Sequence, residues 1–127
     1  MQKLFWTCIF ICSISLAPQA QAKDGAYFLR ACEAAVKQAD GAQLTLEESL
    51  SALNCMTYIS GFREALALNS KISKTPKLYC PPEGGVTHEQ VARVFTKFLQ
   101  SNPESLSQNG SLSLYIALSK NYPCVDS

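Results

Sequence analysis

The sequence predicts an all-α fold, a small disulfide-stapled bundle of about four helices. Three observations carry this. Apolar residues recur at helical spacing in four separate stretches. No stretch alternates apolar and polar residues as a half-buried strand does. Four cysteines remain once an apolar N-terminal segment is set aside.

That segment is residues 1–22. Lys3 supplies a short basic start, Leu4–Leu16 is almost wholly apolar, Pro18 breaks the run, and Ala20-Gln21-Ala22 forms a small-x-small cleavage site. This is the pattern of an exported protein's signal peptide, cleaved after Ala22. The run is shorter than the roughly 20 apolar residues a spanning helix needs. Cys12 follows Phe10 and Ile11 where a lipoprotein motif needs small residues, and Cys8 lies too early. The mature chain, 23–127, is then 105 residues and one domain. It carries ten Lys/Arg against ten Asp/Glu. A balanced chain has no electrostatic footprint for nucleic acid or for an anionic membrane.

The first helix covers roughly Asp24–Ala39. Phe28, Cys32, Ala35, Val36 and Ala39 share one face, and Gly41 can cap the end. The second opens on a capping box, Thr45 and Glu48, and runs to about Asn69. Its apolar face shifts from Leu46/Leu50/Leu53 to Cys55/Ile59/Phe62/Leu66. Gly61 sits inside this run, at a cost of about 1 kcal/mol relative to Ala. The expectation is that another backbone approaches there, and that this helix is the post for the others.

Ser70–Val86 is a long irregular connection with three lysines, three prolines, Gly84-Gly85 and Cys80. Connections of this length are functional or disordered more often than short ones, and a bridged Cys80 argues for order. A second capping box, Thr87 with Gln90, opens a helix carrying Val91, Val94, Phe95, Phe98 and Leu99 on one face. Asn102-Pro103 reads as a helix restart with Asn102 as its cap. The last helix, about Ser111–Lys120, turns Leu112, Tyr115, Ala117 and Leu118 inward before Tyr122-Pro123-Cys124 stops it.

Cys32, Cys55, Cys80 and Cys124 form an even set in an exported chain, which reads as two disulfides. No CxxC occurs and the chain has one His, so the spacing does not suit zinc. Three pairings are open: Cys32–Cys80 with Cys55–Cys124, Cys32–Cys55 with Cys80–Cys124, and Cys32–Cys124 with Cys55–Cys80. Each bridge is worth roughly 3–4 kcal/mol in the chain-entropy model.

The motifs Cys55-Met56-Thr57-Tyr58-Ile59-Ser60-Gly61, Tyr79-Cys80-Pro81-Pro82, Val86–Val91, Asn102-Pro103-Glu104 and Tyr122-Pro123-Cys124 follow a cysteine in the first helix. In this the chain resembles the Rap/Tai family of small periplasmic proteins. Several members are immunity proteins against peptidoglycan amidase toxins delivered by type VI secretion. The chain departs at Asn102, where the family more often has His before Pro-Glu. The resemblance implies a periplasmic homodimer that plugs the cleft of an amidase effector. It implies no cofactor and no chemistry of its own.

The residues agree with a binding role. No inward Asp/Glu pair, no free Cys beside a His and no Ser-His-Asp spacing points to an enzyme, and no catalytic, cofactor or metal residue is expected. Lys71, Lys74, Lys77, Glu83 and His88, on and beside the long connection, are the candidate partner contacts. The alternative is a non-enzymatic periplasmic protein of another kind, such as an acid-stress chaperone of the HdeA type. Balanced charge and a single His supply no evident acid trigger for it.

Overall fold

A computed structural model describes residues 23–124; the expected signal segment, 1–22, and the tail, 125–127, lie outside the described residues. The described chain forms α1 (Gly25–Ala39), α2 (Leu46–Ser73), α3 (His88–Ser101), a 3₁₀ turn (Pro103–Ser107) and α4 (Gly110–Asn121). No strand occurs among the described residues beyond an isolated bridge between Asp24 and Asn109. The all-α expectation holds.

Local chemistry sets the helix ends. At the start of α1 the Asp24 carboxylate accepts from the Tyr27 N–H. At its end Gly41 takes φ +82°, and the Gly41 and Ala42 N–H groups donate to the Gln38 and Lys37 carbonyls. That is the Schellman pattern, which needs a residue at ease in the left-handed region. Both capping boxes form: Thr45 with Glu48 and Thr87 with Gln90. α2 runs four residues past the expected Asn69 and ends at Lys74, whose φ of 50° is left-handed without a glycine.

The short Asp40–Thr45 link folds α2 back along α1. Cys32 meets Cys55 and Lys37 meets Glu48, so the two helices are antiparallel. α3 lies antiparallel to α1 in turn, with Arg93 on Asp40 and Gln100 on Glu33. The disulfides are Cys32–Cys55 and Cys80–Cys124. The other two pairings do not form, because the hairpin brings 32 and 55 together at mid-length and leaves 80 with 124. Phe28, Cys32, Ile59, Val91, Phe95, Leu99, Leu114 and Leu118 fill the centre.

Several sequence expectations are corrected. Leu46, Leu50 and Leu53 are exposed, as is Leu112; their period matches a helix face, but no described element covers it. Ala39 is exposed at the end of α1. Gly61 has no atom within 4 Å of where a Cβ would stand, so no backbone approaches it. The close approaches occur elsewhere. A Cβ on Gly25 would strike the Ser105 carbonyl, and one on Gly110 would strike the Phe28 ring. The Gly25 and Gly110 N–H groups donate to the Gln108 and Lys23 carbonyls, tying the starts of α1 and α4 together. Asn102 holds the N-cap position of the turn that follows it, and its carbonyl accepts from the Ser105 N–H at 2.9 Å, but its side chain makes no capping bond there. Its amide instead donates to the Phe98 carbonyl, 2.8 Å away, closing the end of α3. Pro103 does open the next helical segment, which is 3₁₀.

Candidate functional site

The connection between α2 and α3 is held along one edge. Beyond Lys74 the chain runs without helix to a turn at Pro82–Gly85, closed by the Gly85 N–H on the Pro82 carbonyl. Gly84 and Gly85 take φ +90° and +77° there. Cys80 is the anchor: its N–H donates to the Tyr122 carbonyl at 2.8 Å, and its sulfur is bonded to Cys124. The Ser119 hydroxyl lies within hydrogen-bond reach of the Leu78 carbonyl at 3.2 Å. The Tyr79 ring packs near Tyr122, and its hydroxyl accepts from Arg63 Nε at 3.3 Å.

Between this strap and the last turns of α2 lies a groove of about 250 Å³. Leu66, Leu78, Tyr79 and Pro81 supply apolar wall, and Arg63, Lys71 and Lys77 supply cations, with no carboxylate in the lining. Of the five candidate contacts, the structure brings Lys71 and Lys77 together in this groove. Lys74 caps α2 outside it. Glu83 is exposed on the Pro82–Gly85 turn, and His88 is half-buried as the first residue of α3. No hydrogen bond or ion pair joins any two of the five among the described residues.

Sequence reasoning missed Arg63 and Tyr79. Their pairing spans sixteen residues, and an arginine in mid-helix reads as solvated surface. The one available signal was position: Arg63 stands three residues before Leu66, on the part of α2 nearest the connection. Also missed is a second cleft of about 400 Å³, lined by Lys23, Tyr27, Asn54, Tyr58 and Ser111 among others. Its polar groups are largely engaged with each other, Tyr58 hydroxyl to Ser111 hydroxyl at 2.9 Å and Lys23 Nζ to Tyr27 hydroxyl at 2.6 Å.

Among the described residues no cluster of His, Cys, Asp or Glu has the makings of a metal site, and all four cysteines are in disulfides. No helix among them is long and apolar enough to cross a membrane. What the surface offers is shape, apolar contact and positive charge on a tethered segment.

The sequence matches the family model of the Rap1a immunity proteins over residues 24–124. The chain belongs to that family. The match spans every described helix and all four bridged cysteines, in line with the resemblance read from the motifs. No curated protein and no solved structure matches the chain. As a member of the Rap1a immunity family, it is an immunity protein that binds a toxin protein.

Proposed function

We propose that residues 1–22 direct export and are cleaved after Ala22. Residues 23–127 then form one immunity domain that acts in the periplasm as a homodimer. Its target is a peptidoglycan amidase effector of a type VI secretion system, whose active-site cleft it occludes. Membership of the immunity family across residues 24–124 is the observation that carries the reading.

The geometry supports occlusion by a preformed segment. A segment held in its binding conformation gives up less chain entropy on docking than a free one, and the Cys80–Cys124 bridge with the Tyr122 carbonyl holds this one. Lys71, Lys74 and Lys77 are all exposed. Charges of one sign at the edge of an interface speed encounter and exclude wrong partners. The protein blocks its target by standing in the substrate's place and performs no chemistry.

The test is a titration of the oxidised mature chain into the amidase encoded nearest its gene, following cleavage of a peptidoglycan cross-link peptide. Stoichiometric inhibition is expected. Absence of inhibition together with absence of a complex on sizing overturns the reading. Lys74→Glu with Lys77→Glu should weaken the complex at least tenfold; unchanged affinity would remove this segment from the interface while leaving the inhibition intact.

A further inference from the structure

The groove behind the strap takes its two walls from different parts of the chain. Arg63, Leu66, Ala67, Ser70 and Lys71 fall at i, i+3, i+4, i+7 and i+8, so they share one face of α2. Leu78, Tyr79 and Pro81 of the strap supply the other wall. The Cys80–Cys124 bridge and the Cys80 N–H on the Tyr122 carbonyl pin that strap, so the groove exists before any partner arrives. Its volume, about 250 Å³, is less than that of one turn of a helix about 10 Å across. An extended segment can lay side chains in it.

Arg63 is the cation that lacks a counterion. It is half-buried, and its Nε donates to the Tyr79 hydroxyl. Neither of its Nη groups meets an acceptor among the described residues, whose ion pairs are Lys37–Glu48 and Arg93–Asp40. Glu64, its neighbour in sequence, bonds Ser60 instead. A guanidinium positioned through one nitrogen, with the other two free, presents the fork that takes a carboxylate by two parallel bonds. Lys71 stands in the last turn of α2, where the helix carbonyls already offset its charge. Arg63 lies ten residues before Ser73, about 15 Å from that negative pole. It is the strongest anion receptor of the groove.

We infer that the groove receives an extended acidic segment of the toxin, with an Asp or Glu carboxylate forked on Arg63 and neighbouring apolar side chains against Leu66, Ala67 and Leu78. This rests on the toxin-binding reading above and adds a second direction to it. While the strap enters the amidase, a piece of the amidase enters the groove behind the strap. Charge selects this occupant. Three cations and no carboxylate in the lining repel a basic segment. A wholly apolar segment would cover Arg63 and leave its charge desolvated and unpaired. Lys71 and Lys77, both exposed beside it, draw the same acidic segment in.

Isothermal titration of the oxidised mature chain with the amidase encoded nearest its gene tests this, with circular dichroism to confirm folding of each variant. Arg63→Gln should weaken the complex about tenfold or more. Arg63→Lys, which keeps the charge and loses the fork, should recover only part of that. Ala67→Phe deletes no charge and fills the groove from an exposed position; it should weaken binding as much, and it carries the test if Arg63→Gln does not fold. Arg63→Glu should be rescued when one exposed Asp or Glu of the amidase is reversed to Lys, each being changed in turn; rescue by none overturns the carboxylate contact. Wild-type affinity in Arg63→Gln and Ala67→Phe, with inhibition intact, overturns the groove as a receptor and leaves the immunity reading standing. Saturable binding of the free cross-link peptide, lost in Arg63→Gln, overturns the toxin segment as occupant in favour of a substrate fragment. A wild type that neither binds nor inhibits the amidase overturns both readings.

Discussion

Removal of the Cys80–Cys124 bridge separates the role of the frame from that of the tethered segment. The two bridges close loops that do not overlap in sequence, 32–55 and 80–124, so their effects should be close to additive. With separations of 44 and 23 residues, the chain-entropy model assigns roughly 4.0 kcal/mol to Cys80–Cys124 and roughly 3.4 kcal/mol to Cys32–Cys55. Burial reverses the order. Cys32 and Cys55 are both fully buried, so their replacement by Ala also leaves a cavity worth about 1–2 kcal/mol more. Cys80 is half-buried and Cys124 exposed, which adds little. Denaturant unfolding of the two double-Ala variants should therefore show losses of about 4 kcal/mol for 80/124 and about 5 kcal/mol for 32/55. Amide exchange distinguishes them further. The residue 80 N–H, held by the Tyr122 carbonyl, should lose protection in Cys80→Ala/Cys124→Ala at denaturant concentrations where the helices keep theirs. Toxin affinity should fall with it. A stability loss under 1 kcal/mol with residue 80 still protected would refute the idea that this bridge orders the segment.

Two glycines should answer the same substitution with opposite signs. Gly25→Ala places a Cβ against the Ser105 carbonyl and should cost about 2–3 kcal/mol, whereas Gly61→Ala, with no atom within 4 Å of the new Cβ, should gain up to about 1 kcal/mol. Urea unfolding reads both, and a loss at Gly61 would mean that something already packs there. Acid stability follows from two exposed carboxylates. The Arg93 guanidinium holds Asp40 below its ordinary value, and the Thr45 backbone N–H does the same, chiefly, for Glu48. Both are lowered on folding, so their contribution is present at neutral pH and is lost as pH falls below the ordinary values of 3.8 and 4.5. The thermal midpoint should be level from pH 7 to about 5 and decline only below about 4; a decline beginning near pH 6 would contradict this.

The helix ends were legible because their chemistry is local. Thr45 and Thr87 each find a partner three residues on, and Gly41 needs only its own backbone. The core stripes of α1 and α3 were legible because each helix has one apolar side. α2 was misread in its first half for the converse reason. Periodicity shows that Leu46, Leu50 and Leu53 share a side, but says nothing of whether anything covers it. Disulfide pairing depends on which helices fold back on each other, and the spacing of four cysteines along the chain does not encode that. The candidate site was half legible. Lys71 and Lys77 stood out by composition, while Arg63 joins them only through the Tyr79 hydroxyl, a contact made by the fold.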